Sequence, residues 1–330
     1  MSYRSTIARQ PQQLASSLAA IEAELEKLDL APLREGVLGI TGIGASYEAA
    51  VVTAGELQRR GRRATAWHTV DLMEPGNPVD AIVALSSGGR SVEPVTALRK
   101  HAGVFSIAVT SEGDNPLAEA ARSSICFQSG ADATPSSTGY TGTLLATGML
   151  SDALCGKSTD WRQLTKLAGQ VLAESAAKME RAGAIFRQRR AIDCVGAVSA
   201  LGTAGEAGLL IREAARIPAG ATNTLHYLHG PMEPMDSTTG VLIFGDGREL
   251  KLAQDMAEIG CAVLLVTTNT EIADKDNLTV VRVPAFENRI ARALLDILPA
   301  QLLAAELSDA AGLTDTKFRY RQTDTKINKA

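Results

Sequence analysis

A chain of 330 residues is long enough for two domains of ordinary size, and its 33 basic against 37 acidic side chains leave it mildly acidic, with no basic cluster of the kind that grips nucleic acid. Four scattered cysteines, Cys126, Cys155, Cys194 and Cys261, form no C-x-x-C pair and no His/Cys ligand spacing, which reads as reduced thiols in a cytoplasmic protein. The N-terminus carries no apolar signal core and no apolar run of about 18 residues occurs, so no membrane contact is expected.

In chain order, Leu14, Leu18, Ile21, Leu25 and Leu28 recur at intervals of three and four and predict a helix over 11–28, outside any sheet. Strand-like runs follow at 37–40, 65–67, 81–85, 104–110 and 124–128, separated by helical patterns at 47–60, 93–101 and 116–122. That rhythm predicts an α/β domain with a largely parallel sheet. Two polar, glycine-rich turns each follow an apolar run: Gly42-Ile43-Gly44-Ala45-Ser46 and Ser86-Ser87-Gly88-Gly89-Arg90-Ser91. They belong at the carboxyl ends of buried strands, where open α/β sheets take ligands. Glycines let backbone N–H groups converge, the hydroxyls of Ser46, Ser86, Ser87 and Ser91 add donors, and the next helix presents its positive end. The result is a cradle for a dianion. Neither turn has the spacing of a nucleotide-binding loop, so a phosphorylated small molecule fits better. A third hydroxyl cluster, Ser136-Ser137-Thr138-Gly139-Tyr140-Thr141, precedes a helix and either touches the ligand or caps that helix. Helical stretches at 141–154 and 161–190 close the first half, the second polar enough to bridge two domains.

The second half repeats the plan: a strand at 191–200, Gly202-Thr203-Ala204-Gly205 as its turn, a helix at 206–216, a strand at 240–245, a helix at 249–259, and strands at 262–268 and 279–283. An apolar helix over 291–307 leads to a polar tail that is either frayed or laid over a site. Glu206 and Glu213 are seven residues apart, so a uniform helix puts both on roughly one side, and either carboxylate is a candidate general base. The stretch 217–224 reads as neither strand nor helix; beyond it lie His226 and, just before Gly230-Pro231, His229, a candidate acid/base for opening a sugar ring. The plainer alternative pairs Glu213 with Arg212 or Arg216 and makes His229 a turn cap. His68 and His101 read as solvated or packing residues. No metal set emerges, because Glu233 and Asp236 do not complete a ligand spacing with His226 and His229, and Ser46 is not in a G-x-S-x-G setting.

Over about 35–327 these residues resemble the SIS (sugar isomerase) domains, within them the isomerase half of glutamine–fructose-6-phosphate aminotransferase and its stand-alone isomerase, deaminase and deglycase relatives. Gly44-Ala45-Ser46-Tyr47 is similar to the family's Gly-Thr-Ser-Tyr turn, the 86–91 loop to its Ser-Gln-Ser-Gly-Glu-Thr phosphate loop, and Ser136–Thr141 to its Ser-Thr-Lys-Ala-Phe-Thr segment. The resemblance implies that Ser46, Ser86, Ser87, Ser91 and Ser137 bind the sugar and its phosphate, with Arg90, in place of an acidic residue, strengthening the hold on the dianion. Glu206 to Glu213 resembles the Glu-Gly-Ala-Leu-Lys-Leu-Lys-Glu helix, which makes Glu213 the C1/C2 base. Leu228-His229-Gly230-Pro231 resembles Lys-His-Gly-Pro, which makes His229 the ring-opening residue, often supplied across a dimer. There are departures. Gly88 stands where the family has a second serine, His226 replaces a glutamate, and in the tail around Asp315-Thr316-Lys317 no lysine falls in register with the Schiff-base position, Lys326 being the nearest.

The expected architecture is α/β: two SIS-type α/β/α sandwich domains with parallel sheets, each a flavodoxin-like three-layer unit. The chain would divide into an N-terminal helix at 1–34, domains at 35–165 and 191–310, a linking helix at 166–190 and a tail at 311–330 over the site. The resemblance further implies a homodimer acting on a phosphorylated hexose or aminosugar, without cofactor or metal. The expected activity is aldose/ketose isomerisation or aminosugar-phosphate deamination; a non-catalytic phosphosugar-binding or regulatory protein is the alternative. With no glutaminase domain ahead of residue 35, glutamine-dependent synthesis by this chain is not expected.

Overall fold

In the computed structural model, residues 2–313 and 317–328 are described; Asp315 and Thr316, part of the tail compared with the family, and the outermost tail residues lie outside them. In chain order the elements are α1 (Tyr3–Leu25), β1 (Leu38–Gly42), α2 (Ala45–Arg59), β2 (Ala64–His68), α3 (Thr69–Met73), β3 (Ala81–Leu85), α4 (Val92–Lys100), β4 (Phe105–Thr110), α5 (Pro116–Ala120) and β5 (Ser123–Cys126). Then come α6 (Thr138–Cys155), α7 (Trp161–Phe186), β6 (Ala191–Gly196), α8 (Ala200–Leu210), β7 (Ala219–Asn223), α9 (Thr224–Tyr227), β8 (Thr239–Phe244), α10 (Arg248–Ile259), β9 (Ala262–Thr267), β10 (Leu278–Arg282) and α11 (Arg289–Ala310).

All strand pairs are parallel, in two five-stranded sheets ordered β2-β1-β3-β4-β5 and β7-β6-β8-β9-β10. The two orders correspond strand for strand, and each reverses at one point, between β1 and β3 and between β6 and β8. Such a reversal opens a crevice at the carboxyl ends of the strands. Parallel sheets are covered on both faces, which is why β3 and β9 are apolar runs, buried throughout. The expected α/β class with parallel sheets and flanking helices is therefore what the chain adopts. No helix among the described residues is long and apolar enough to cross a membrane.

Three local expectations change. Gly202-Thr203-Ala204-Gly205 is not a turn but lies within α8. Its glycines are there because α2 presses on that helix: a Cβ at Gly202 would meet the Glu48 carbonyl and Val52, and one at Gly205 would fall on the Glu48 carboxylate. Gly202→Ala is accordingly expected to lower stability by about 1–3 kcal/mol through overpacking, read by denaturant unfolding. An unchanged midpoint would mean that the crossing has slack. The stretch after Pro218 contains β7, an edge strand held by β6 alone, where Gly220 weakens the sequence signal. Finally, α1 begins eight residues before Pro11, which sits inside the helix. Packing outweighs the missing N–H there: Tyr3 and Ile7 are buried, and Gln10 donates to Gln301 Oε1 at 2.7 Å and accepts from Thr141 Oγ1 at 2.8 Å. His101 is buried with a ring nitrogen 2.8 Å from the Leu72 carbonyl, while exposed His68 stacks on Tyr47 at 4.2 Å.

Candidate functional site

The serine loop follows β3 into the first crevice. Gly89 N–H closes it onto the Ser86 carbonyl at 2.9 Å, and Gly89 has φ +60, with Asn115 occupying the place where a Cβ would go. Only glycine meets both demands. Asn115 is fixed in turn by accepting from the N–H groups of Leu117 and Ala118, at 3.1 and 3.0 Å. Ser86 and Ser91 are buried and Ser87 half-buried; half-buried Ser46 opens α2 beside them in the chain's first switch-point crevice. Ser91 precedes α4 without capping it through its side chain. Instead its Oγ receives the Lys326 ammonium at 2.7 Å. The tail pairs antiparallel to the loop, with Val92 N–H on the Thr325 carbonyl at 3.2 Å and Ile327 N–H on the Arg90 carbonyl at 2.8 Å. The Arg90 guanidinium donates to the Asn328 carbonyl at 3.2 Å, so it is directed at the tail.

Ser137 precedes α6, but a carboxylate of the chain itself sits at that helix start. Asp132 accepts from the Ser137 and Gly139 N–H groups at 2.9 and 2.8 Å, from the Ser136 hydroxyl at 2.8 Å and from the Ser137 hydroxyl at 3.2 Å. Positive helix ends favour an anion, and here Asp132 provides it. The Ser87 hydroxyl approaches the same turn, 2.7 Å from where a Cβ of Gly139 would stand. Asp132 was not among the residues singled out from sequence; its only signal is an acid shortly before a Ser-Ser-Thr cap.

The second half contributes Glu213. After Leu210 the helix widens into one π turn, Ile211–Ala215, and ends at Arg216 in the left-handed conformation, φ 58. Single π turns recur at functional sites because they re-aim side chains. Glu206 is 1% exposed, whereas Glu213, on the π turn, lines a cavity of about 740 Å³ with Asp193, Leu209, Phe318 and Tyr320. Neither neighbouring arginine pairs with Glu213, since Arg212 donates to the Ala219 carbonyl at 3.0 Å and Arg216 to the Lys317 carbonyl at 3.1 Å. Burial raises the Glu213 carboxyl to about 7 and does the same to Glu48 on α2. Glu206 is pushed well above the usual carboxylate range, by burial first and then by the charges of Glu213, Glu48 and Asp132. Glu213 is therefore poised to give and take a proton near neutral pH.

The histidines lie elsewhere. His226 and His229 are exposed and line a different cavity of about 750 Å³ with Leu201 and Asn223, while Glu213 belongs to the first. Within one chain, then, the tail joins the serine loop and Ser137 joins Asp132, but His229 is not brought to Glu213. Among the described residues no group of three or more His, Cys, Asp or Glu is arranged to hold a metal ion.

No protein-family model matches the chain, and no curated protein matches it. Solved structures do. The chain is similar to the C-terminal domain of glucosamine-fructose-6-phosphate aminotransferase from Francisella tularensis, at 18% identity and a TM-score of 0.82 over 94% of this chain and 96% of that one. It is similar to tagatose-6-phosphate ketose/aldose isomerase from Escherichia coli, at 18% identity and a TM-score of 0.82 over 96% of both chains. It is also similar to glucosamine-6-phosphate deaminase from Thermotoga maritima, at 19% identity and a TM-score of 0.79 over 97% of this chain and 98% of that one. Likeness at these identities is a likeness of fold, and the chain accordingly has the SIS (sugar isomerase) fold that the resemblance of its motifs implied.

Proposed function

We propose that this chain is a phosphosugar isomerase or aminosugar-phosphate deaminase that moves a proton between C1 and C2 of a hexose or hexosamine 6-phosphate. The observation that carries this reading is Glu213: a carboxyl with no ion-pair partner among the described residues, held on a π turn at a cavity of about 740 Å³ and raised by burial to about 7. Its carboxylate would take the proton from the carbon beside an open-chain carbonyl and return it to the neighbouring carbon through an enediol or enolamine. With a 2-amino aldose, the enolamine becomes an imine, which water hydrolyses to ketose phosphate and ammonia. The phosphate would rest on Ser86, Ser87 and Ser91, where the Lys326 ammonium adds positive charge, with Ser46 toward the sugar. His229 would open the ring from the partner subunit of a homodimer, for which Leu225, 62% exposed and lining the same cavity, offers apolar surface. Four free thiols suit a reaction in the cytoplasm.

A non-catalytic phosphosugar-binding protein is the second reading, favoured by one observation: His229 and Glu213 line separate cavities. Incubation with glucosamine 6-phosphate and with ordinary hexose 6-phosphates in heavy water separates the two. Deuterium at C1 or C2, with ammonia from the aminosugar if it is a deaminase, is the expected outcome. Binding of a phosphosugar without exchange on any of them would make the protein a sensor.

A further inference from the structure

The second sheet reverses between β6 and β8 just as the first reverses between β1 and β3, and a cavity of about 250 Å³ opens at the carboxyl ends of those two strands. Most charges around it are committed to one another. Arg292 donates to Asp296 Oδ1 at 2.6 Å and to Asp246 Oδ2 at 3.0 Å, and Asp246 Oδ1 accepts from the Thr267 hydroxyl at 2.7 Å and the Thr268 N–H at 2.6 Å. Glu249 is held by the Thr224 hydroxyl at 2.5 Å and the Gly247 N–H at 3.1 Å.

What remains uncommitted is a set of donors. Thr203 lines the cavity, is wholly buried, and its Oγ1 has no hydrogen-bond partner among the described residues. Ser199 lies four residues earlier, on the same face of the helix start, buried and with no side-chain cap bond. The Arg289 guanidinium, on the opposite wall, forms no ion pair among the described residues. Val198 has φ +54, and the Ala200 N–H after it donates to the Ala197 carbonyl at 3.0 Å, so recognition of a ligand falls to the side chains. A buried donor without a partner is costly, and an acceptor brought by a ligand would remove that cost.

We propose that this crevice is a second binding site, for a small metabolite bearing an oxyanion, either a carboxylate or a phosphate, held by Thr203, Ser199 and Arg289. The cavity is smaller than the roughly 300–1,000 Å³ of ordinary ligand pockets, so the oxyanion sits on a skeleton of few carbons. The site is independent of the isomerase reading and of the serine loop in the first sheet.

The test is backbone-amide NMR of the full chain carrying Ser86→Ala and Ser91→Ala, titrated in parallel with inorganic phosphate and with malonate. The expected result is a saturable shift of resonances at 197–203 with at least one of them, and Thr203→Val weakening that binding by roughly ten- to a hundred-fold. Thr203→Val keeps the side-chain shape and removes a hydroxyl that has no protein partner, so its amide spectrum should otherwise stay native; Arg289→Gln is the second variant. Response to phosphate alone or malonate alone, lost in both variants, supports the site and identifies the oxyanion. No saturable shift at 197–203 with either probe, or shifts that survive both substitutions, overturns the proposal. Absence of C1/C2 exchange in heavy water would leave these outcomes unaffected.

Discussion

Glu213→Gln is expected to cut turnover by about a hundred- to ten-thousand-fold, the range that a positioned proton carrier contributes, while making the protein more stable at alkaline pH. The second effect follows from the first role. Burial raises this carboxyl from the ordinary glutamate value of 4.5 to about 7, so between those values the folded chain holds a proton that the unfolded chain has released. Stability attributable to the group is full below the unfolded value, declines as pH rises, and is lost above about 7, where the folded state keeps a buried carboxylate. A glutamine carries no such cost. The variant should thus match the wild type below the unfolded value and exceed it at pH 8 by an amount approaching about 3 kcal/mol, the free-energy equivalent of the shift. Denaturant unfolding at both pH values measures this, and the wild-type rate should rise with pH through an apparent value near 7. An equal gain at both pH values would show that the carboxyl is not titrating in this window, and a fully active Glu213→Gln protein would remove it from the chemistry.

The fold was legible wherever a strand is buried on both faces. The apolar run 81–85 coincides with β3, and 262–268 overshoots β9 by one residue. It was illegible where the reason for a residue is a distant contact. Glycines at 202 and 205 look like a turn until Glu48 and Val52 are seen to occupy the space of their missing side chains. The edge strand Ala219–Asn223 is small-residue sequence with one partner, so no strong alternation marks it. At the site the hydroxyl loop is local and its position could be read directly, but its partners could not. Lys326 reaches Ser91 across 235 residues, and Arg90 turns to the tail because the tail pairs with its loop. Asp132 at the α6 start and the π turn under Glu213 arise from tertiary geometry, which no spacing rule encodes.

Mixing two inactive proteins is expected to restore activity. If His229 of one subunit serves Glu213 of the other, Glu213→Gln and His229→Ala chains will each be inactive alone, since every site lacks one group. After denaturation and co-refolding in equal amounts, half the dimers are mixed. In a mixed dimer one site carries both lesions and the other neither, because the intact Glu213 and the intact His229 come from different chains. Recovered activity should therefore approach about a quarter of wild type per chain, a large rise from two near-zero parents. The geometry motivates the arrangement: Glu213 lines the cavity beside the tail, and His229 is exposed on another. Were both groups to act within one chain, each subunit of the mixed dimer would still lack one of them and no activity would return. A protein that elutes as a monomer while turning over phosphosugar would rule out the shared site by itself.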